Sequence, residues 1–177
     1  MVPNTVLRLA AVQKSLEDII RPVLPETADF AKEQLGLIIK SIALVRQQIP
    51  HEYAVHVHDA HAFAEFGREL IEQLPETSGT ALTGAIERVE AIAPTVVPDR
   101  LALEDAVRAL RGAIEKVLEG VSDPEDLAKV GPIVLAQTER QTLLERLWVV
   151  DTGFDPSPAS LPTIEQALYS SQAGGQQ

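Results

Sequence analysis

All four histidines of this chain fall in one run of eleven residues, His51-Glu52-Tyr53-Ala54-Val55-His56-Val57-His58-Asp59-Ala60-His61. On a helix, at about 100° per residue, His51, His58, His61 and Glu65 share one sector, which Arg68 and Glu72 continue. His58 and His61 are three apart and Glu65 is four further on, so all three can face one ion. Imidazole and carboxylate are suitable ligands for zinc, iron or manganese, and a divalent metal held by His58, His61 and Glu65 is one reading of this stripe. Helical metal sites normally draw ligands from several helices, and no Glu-x-x-His string supplies them from a second helix here. Two other readings compete. The stripe is a solvated face without a cofactor, or it is a subunit contact whose strength follows histidine charge between about pH 5 and 8.

His56 points away from that stripe, into a face shared by Ala60, Phe63, Gly67 and Leu70, where burial is expected. A buried imidazole tends to be neutral unless an acid accompanies it, and Asp59 is three residues on. Ala60 and Gly67 leave room beside the ring for a packed neighbour or a small ligand. His56, Asp59, Ala60, Phe63 and Gly67 therefore form a candidate ligand pocket. A general-base role would need a second reactive group in the same pocket, and the sequence identifies none.

Other chemistry fails on spacing or composition. There is no Gly-rich phosphate loop and no Gly-x-Ser-x-Gly elbow. The absence of cysteine excludes disulfides, thiolate metal sites and a cysteine nucleophile. Twenty-six acidic side chains against fifteen basic ones give a net charge of −11. No basic stripe interrupts that field, which disfavours nucleic acid and anionic membranes alike. The N-terminus lacks the pattern of a signal peptide, and the most apolar window, Leu35 to Val45, is broken by Lys40. A cytoplasmic location is expected.

The elements that must position these residues are helices. Apolar side chains are mostly Ala, Leu, Ile and Val, and aromatics make up only 4%, a composition suited to close helix packing. Val6, Leu9, Ala10, Leu16, Ile19 and Ile20 mark the buried face of a first helix, from Thr5 to Arg21, ended by Pro22 and Pro25. Thr27 is the expected cap of a second, whose buried face runs through Phe30, Leu35, Ile38, Ile42, Val45 and Ile49. Tyr53, Val57, Ala60, Ala64, Gly67, Ile71 and Leu74 recur at steps of four and three along a third, with a thin middle that lets a neighbour approach. These three helices are expected to form one antiparallel unit.

Helices from Ser78 to Ala93 and from Asp99 to Gly120 follow, joined by the connector Pro94 to Pro98. Another starts at Ser122-Asp123-Pro124 and is expected to break or kink at Gly131-Pro132 before a last helix to Val150. The whole reads as an all-α antiparallel helical bundle of about six helices. It covers residues 1–150 and leaves a Pro-rich tail, 151–177, with a short docked helix between Ser160 and Ser170 and a frayed end at Gly174 to Gln177. Leu24-Pro25-Glu26-Thr27 recurs as Leu74-Pro75-Glu76-Thr77, a coincidence that loop and cap chemistry favours as readily as duplication does.

The run Ile20-Arg21-Pro22-Val23-Leu24-Pro25, with Phe30 and the helix end Ser41-Ile42-Ala43-Leu44-Val45-Arg46, resembles a group of small uncharacterised helical bacterial proteins. Their genes neighbour kinases similar to aminoglycoside phosphotransferases and acyl-CoA dehydrogenases. The resemblance implies an accessory role and brings no catalytic residues. The sequence therefore leads to an expectation of a non-enzymatic accessory or protein-interaction module with a protein partner, itself a homodimer. A metal- or small-ligand-binding bundle centred on the third helix is the alternative.

Overall fold

The computed structural model describes residues 4–74, 79–93, 99–153 and 155–169. The second Leu-Pro-Glu-Thr copy beyond Leu74, the connector Pro94 to Pro98 and the end from Ser170 lie outside the described residues. The fold is all-α. Its helices are α1 (Thr5–Ser15), α2 (Asp29–Gln48), α3 (Glu52–Gln73), α4 (Gly79–Ile92), α5 (Arg100–Glu119), α6 (Pro124–Trp148) and α7 (Ile164–Tyr169). Among the described residues no helix is long and apolar enough to cross a membrane.

The chain divides into two compact units. One comprises residues 1–52 and 146–162, the other 53–145 and 163–177. The expected grouping of the first three helices is thus split, because α1 and α2 pack together in the first unit while α3 belongs to the second.

In the first unit, Asn4 caps α1 by accepting from the Val6 amide at 2.8 Å. The helix does not run regularly to Arg21. It widens into a π turn at Leu16–Ile20 and tightens into a 3₁₀ turn at Arg21–Val23, where Pro22 removes a donor. The wide turn lags the α-helical phase, and Ile19 and Ile20, expected inside, are 62% and 42% exposed. No residue of α1 is fully buried. On α2 only Leu35 and Ile39 are buried, while Phe30, Ile38 and Val45 of the expected inner face are exposed. That helix is apolar on two sides, and periodicity cannot tell which of them its own chain covers. α2 begins at Asp29 and has no side-chain cap, so Thr27 does not serve as one.

The tail segment 150–162 of this unit is tied to the end of α6. Arg146 donates from Nε and an Nη to the two Asp155 oxygens at 2.8 and 3.0 Å, and Asp155 also accepts from the Ser157 amide. The Arg146 guanidinium first, then the Ser157 amide, hold the Asp155 carboxyl below its usual value. A group with a lowered folded-state pKa contributes stability above its unfolded value, about 3.9, and loses it as pH falls through the folded one. The clasp should therefore be constant from neutral pH down to about 5. In an NMR titration the Asp155 carboxyl carbon should respond only in stronger acid. A midpoint above the ordinary aspartate value would contradict this geometry.

The second unit has the main core. Leu103, Ala106, Leu110, Ile114 and Val117 recur every three or four residues on α5 and are buried. They meet Leu82, Ile86 and Val89 of α4 and Ala60, Phe63, Ala64, Phe66 and Leu70 of α3. α3 and α5 run in the same direction, since His56 pairs with Glu104 and Phe63 lies under Arg111, seven residues further along each helix. α4 and α5 pack against each other, and Ala81, Gly84, Ala85, Ala109, Gly112 and Ala113 line an open groove of about 710 Å³ along the outer side of the pair. The small seam of α3 is buried as its spacing implies. A Cβ placed on Gly67 would meet Ile86 Cδ1 at 3.0 Å, so glycine there sets the α3–α4 approach.

α6 runs unbroken through Gly131-Pro132, so of the expected break or kink the break does not occur. The proline leaves the Ala128 carbonyl without its helical donor. Flanking residues of this helix nevertheless join the core, Val130 buried and Ile133 and Val134 packed against it, and that tertiary packing overrides the local preference. α7 opens with a reciprocal box, Thr163 and Gln166 each accepting from the other's amide, and buries Leu168.

Candidate functional site

α3, α5 and α6 of the second unit surround a groove of about 1030 Å³. One continuous face of α5, from Leu103 to Leu118, and one of α6, from Val134 to Glu145, form its long walls. At 1.5 Å per residue these faces run for roughly 15–25 Å, the shape of a trough rather than a hole. The lining is apolar at Phe66, Leu103, Val107, Ile114 and Val134, and polar at Thr138, Gln141, Thr142 and the charged residues described below.

His56, Asp59 and Phe63 of the expected pocket line this groove, whereas Ala60 and Gly67 do not. Ala60 is sealed in the core and Gly67 faces α4. His56 is only partly buried, with 28% of its side chain exposed, because it stands at the edge of the groove rather than in the core. Its acid is Glu104, not Asp59. The Nε2–Oε1 distance is 3.3 Å, and Glu104 also accepts from Arg100 at 2.6 Å. Among the described residues no hydroxyl is hydrogen-bonded to His56. Asp59 leans towards His58 instead, at 3.9 Å, with its Oδ1 buried and unbonded.

The residue that stands out is one the sequence did not single out. Gln137 is 5% exposed, lines the groove, and has no hydrogen bond at either Nε2 or Oε1. A buried polar group left without a partner costs about 1–3 kcal/mol, and a carboxamide has both donors and an acceptor to satisfy. Nearby, the Arg111 guanidinium lies 5.0 Å above the Phe63 ring, a cation–π contact that holds its charge over the groove wall. The sequence did carry a signal for Gln137. It occupies a seam position in the series Val130, Val134, Gln137, Gln141, Leu144, where steps of four and three otherwise bring apolar residues inward.

The proposed metal ligands are brought to one place but not to one point. His58, His61 and Glu65 line a cavity of about 500 Å³ with Arg140 of α6 and Tyr169 of α7. Glu65 leans towards Arg140, at 3.8 Å, and His58 towards Asp59. Among the described residues no three His, Asp or Glu side chains converge to hold an ion. Arg68, on the same stripe, pairs with Glu90 of α4.

No protein-family model matches this chain, and neither a curated protein nor a solved structure matches it at a significant level.

Proposed function

We propose that this chain is a non-enzymatic protein-interaction module whose second unit receives one segment of a partner protein in the groove between α3, α5 and α6. The observation that carries this reading is Gln137, a buried carboxamide with nothing to bond, set in the wall of a trough. A main-chain peptide unit offers one donor and one acceptor, the complement that such an amide lacks. The length of the trough suits a chain segment rather than a compact metabolite. The second unit has eight basic against eighteen acidic side chains, so it carries nearly all of the net negative charge and attracts a basic segment. The lack of cysteine is compatible with a cytoplasmic place of work.

Selecting peptides of about twelve residues from a random display library against the intact chain tests this. Enriched sequences should combine Lys or Arg with two or more apolar residues, and their binding should weaken about tenfold or more with Val107→Arg in the groove. Binders indifferent to that change, or none from a diverse library, would remove the support.

A further inference from the structure

The exposed side of α2 carries a second surface, independent of the groove. Phe30, Gln34, Leu37, Ser41 and Val45 fall within a sector of about 80°, with Ile38 beside it. All of them face water, and Phe30, Leu37, Ile38 and Val45 are 75%, 49%, 50% and 44% exposed. No charged residue interrupts this strip. The Ser41 hydroxyl is satisfied within the helix by the Leu37 carbonyl at 2.9 Å, so it brings no unmet polar demand. The opposite side of α2, at Leu35 and Ile39, is already buried. A helix apolar on both sides is normally covered on both.

The spacing is that of a coiled-coil seam. Phe30, Gln34, Leu37 and Ser41 follow steps of four, three and four, and Glu33 and Lys40 border one edge at a separation of seven. Both charges are exposed, and neither has an ion-pair partner among the described residues. Seven residues span about 10.5 Å along the axis, too far for the two to meet each other. In an antiparallel pair of identical helices, residues on this edge face the same edge of the mate. Glu33 of each copy then meets Lys40 of the other, twice over. In a parallel pair they would face Ile38 and Val45. Charge also permits self-association here, because the first unit has seven basic and eight acidic side chains and is close to neutral.

The strip is large enough to be a contact patch. At about 200 Å² per large side chain, the four apolar residues of α2 leave on the order of 400 Å² in water, already the size of an interaction patch. Val12, Ile19, Ile20 and Val23 expose further apolar surface on the same unit. We infer that two copies of this chain pair through the exposed faces of α2, antiparallel, with reciprocal Glu33–Lys40 contacts.

Sedimentation equilibrium on the full chain tests the pairing. The expected result is a dimer with a Kd on the order of 1–100 µM. Glu33→Lys or Lys40→Glu alone turns both contacts repulsive and should weaken it about tenfold or more. The two together restore opposite charges and should return the Kd to within about threefold of the starting value. Circular dichroism confirms that the variants, all at exposed positions, keep their helices. A monomer throughout that range, a dimer unaffected by the single swaps, or a double swap weaker than either single would each overturn the inference.

Discussion

Replacing Leu110 with alanine is expected to lower the unfolding free energy by about 2–5 kcal/mol. Leu110 is fully buried at the middle of α5, whose inner face buries Leu103, Ala106, Leu110, Ile114 and Val117 at steps of three and four. Its neighbours on the same face, Ala106 and Ile114, lie one turn away in each direction and are held on a helix, so they cannot close the space that a leucine leaves. Against a total stability of about 5–15 kcal/mol this is a large fraction. Urea unfolding checks it, and amide exchange should show the loss of protection within residues 53–145 first, since those residues share the core that Leu110 completes. A change below about 0.5 kcal/mol would mean that α5 is not packed as described.

Gln137→Leu should move stability the other way. Leucine has a similar volume and no polar atoms, so the substitution removes one buried carboxamide with two unbonded atoms and extends the apolar lining. The expected gain is about 1–3 kcal/mol, seen as a rise in Tm of several degrees. Residues kept at a cost to stability are commonly kept for function, and Gln137 fits that pattern. Glutamate at the same position should destabilise strongly, because a buried carboxylate would find no partner there.

Much of this architecture is legible in the residues themselves. Ala60, Ala64 and Gly67 announce the buried side of α3 because a seam at steps of four and three has only one way to face a core. Asp99 caps α5 as its type and place imply, accepting from the Ala102 amide at 3.1 Å. What the sequence hides is non-local. Glu104 is the partner of His56 only because α3 and α5 run side by side in one direction, and no spacing along the chain reveals that. The continuity of α6 through Pro132 depends on the core it packs against. Phe30, Ile38 and Val45 of α2 read as core by periodicity yet are exposed, since an uncovered apolar face has the same pattern as a covered one. Three possible metal ligands on one helix face were legible too, but whether they converge depends on where Asp59 and Arg140 draw His58 and Glu65.

The claim at the centre is that the trough between α3, α5 and α6 is shaped for a guest and that Gln137 marks it. The most direct test measures two quantities on one variant, the Tm of Gln137→Leu and its affinity for a display-selected basic peptide that binds the intact chain. The account predicts opposite movements, a higher Tm and an affinity lowered by about tenfold or more. A variant that melts earlier, or one that melts later yet binds the peptide as tightly as before, would contradict it.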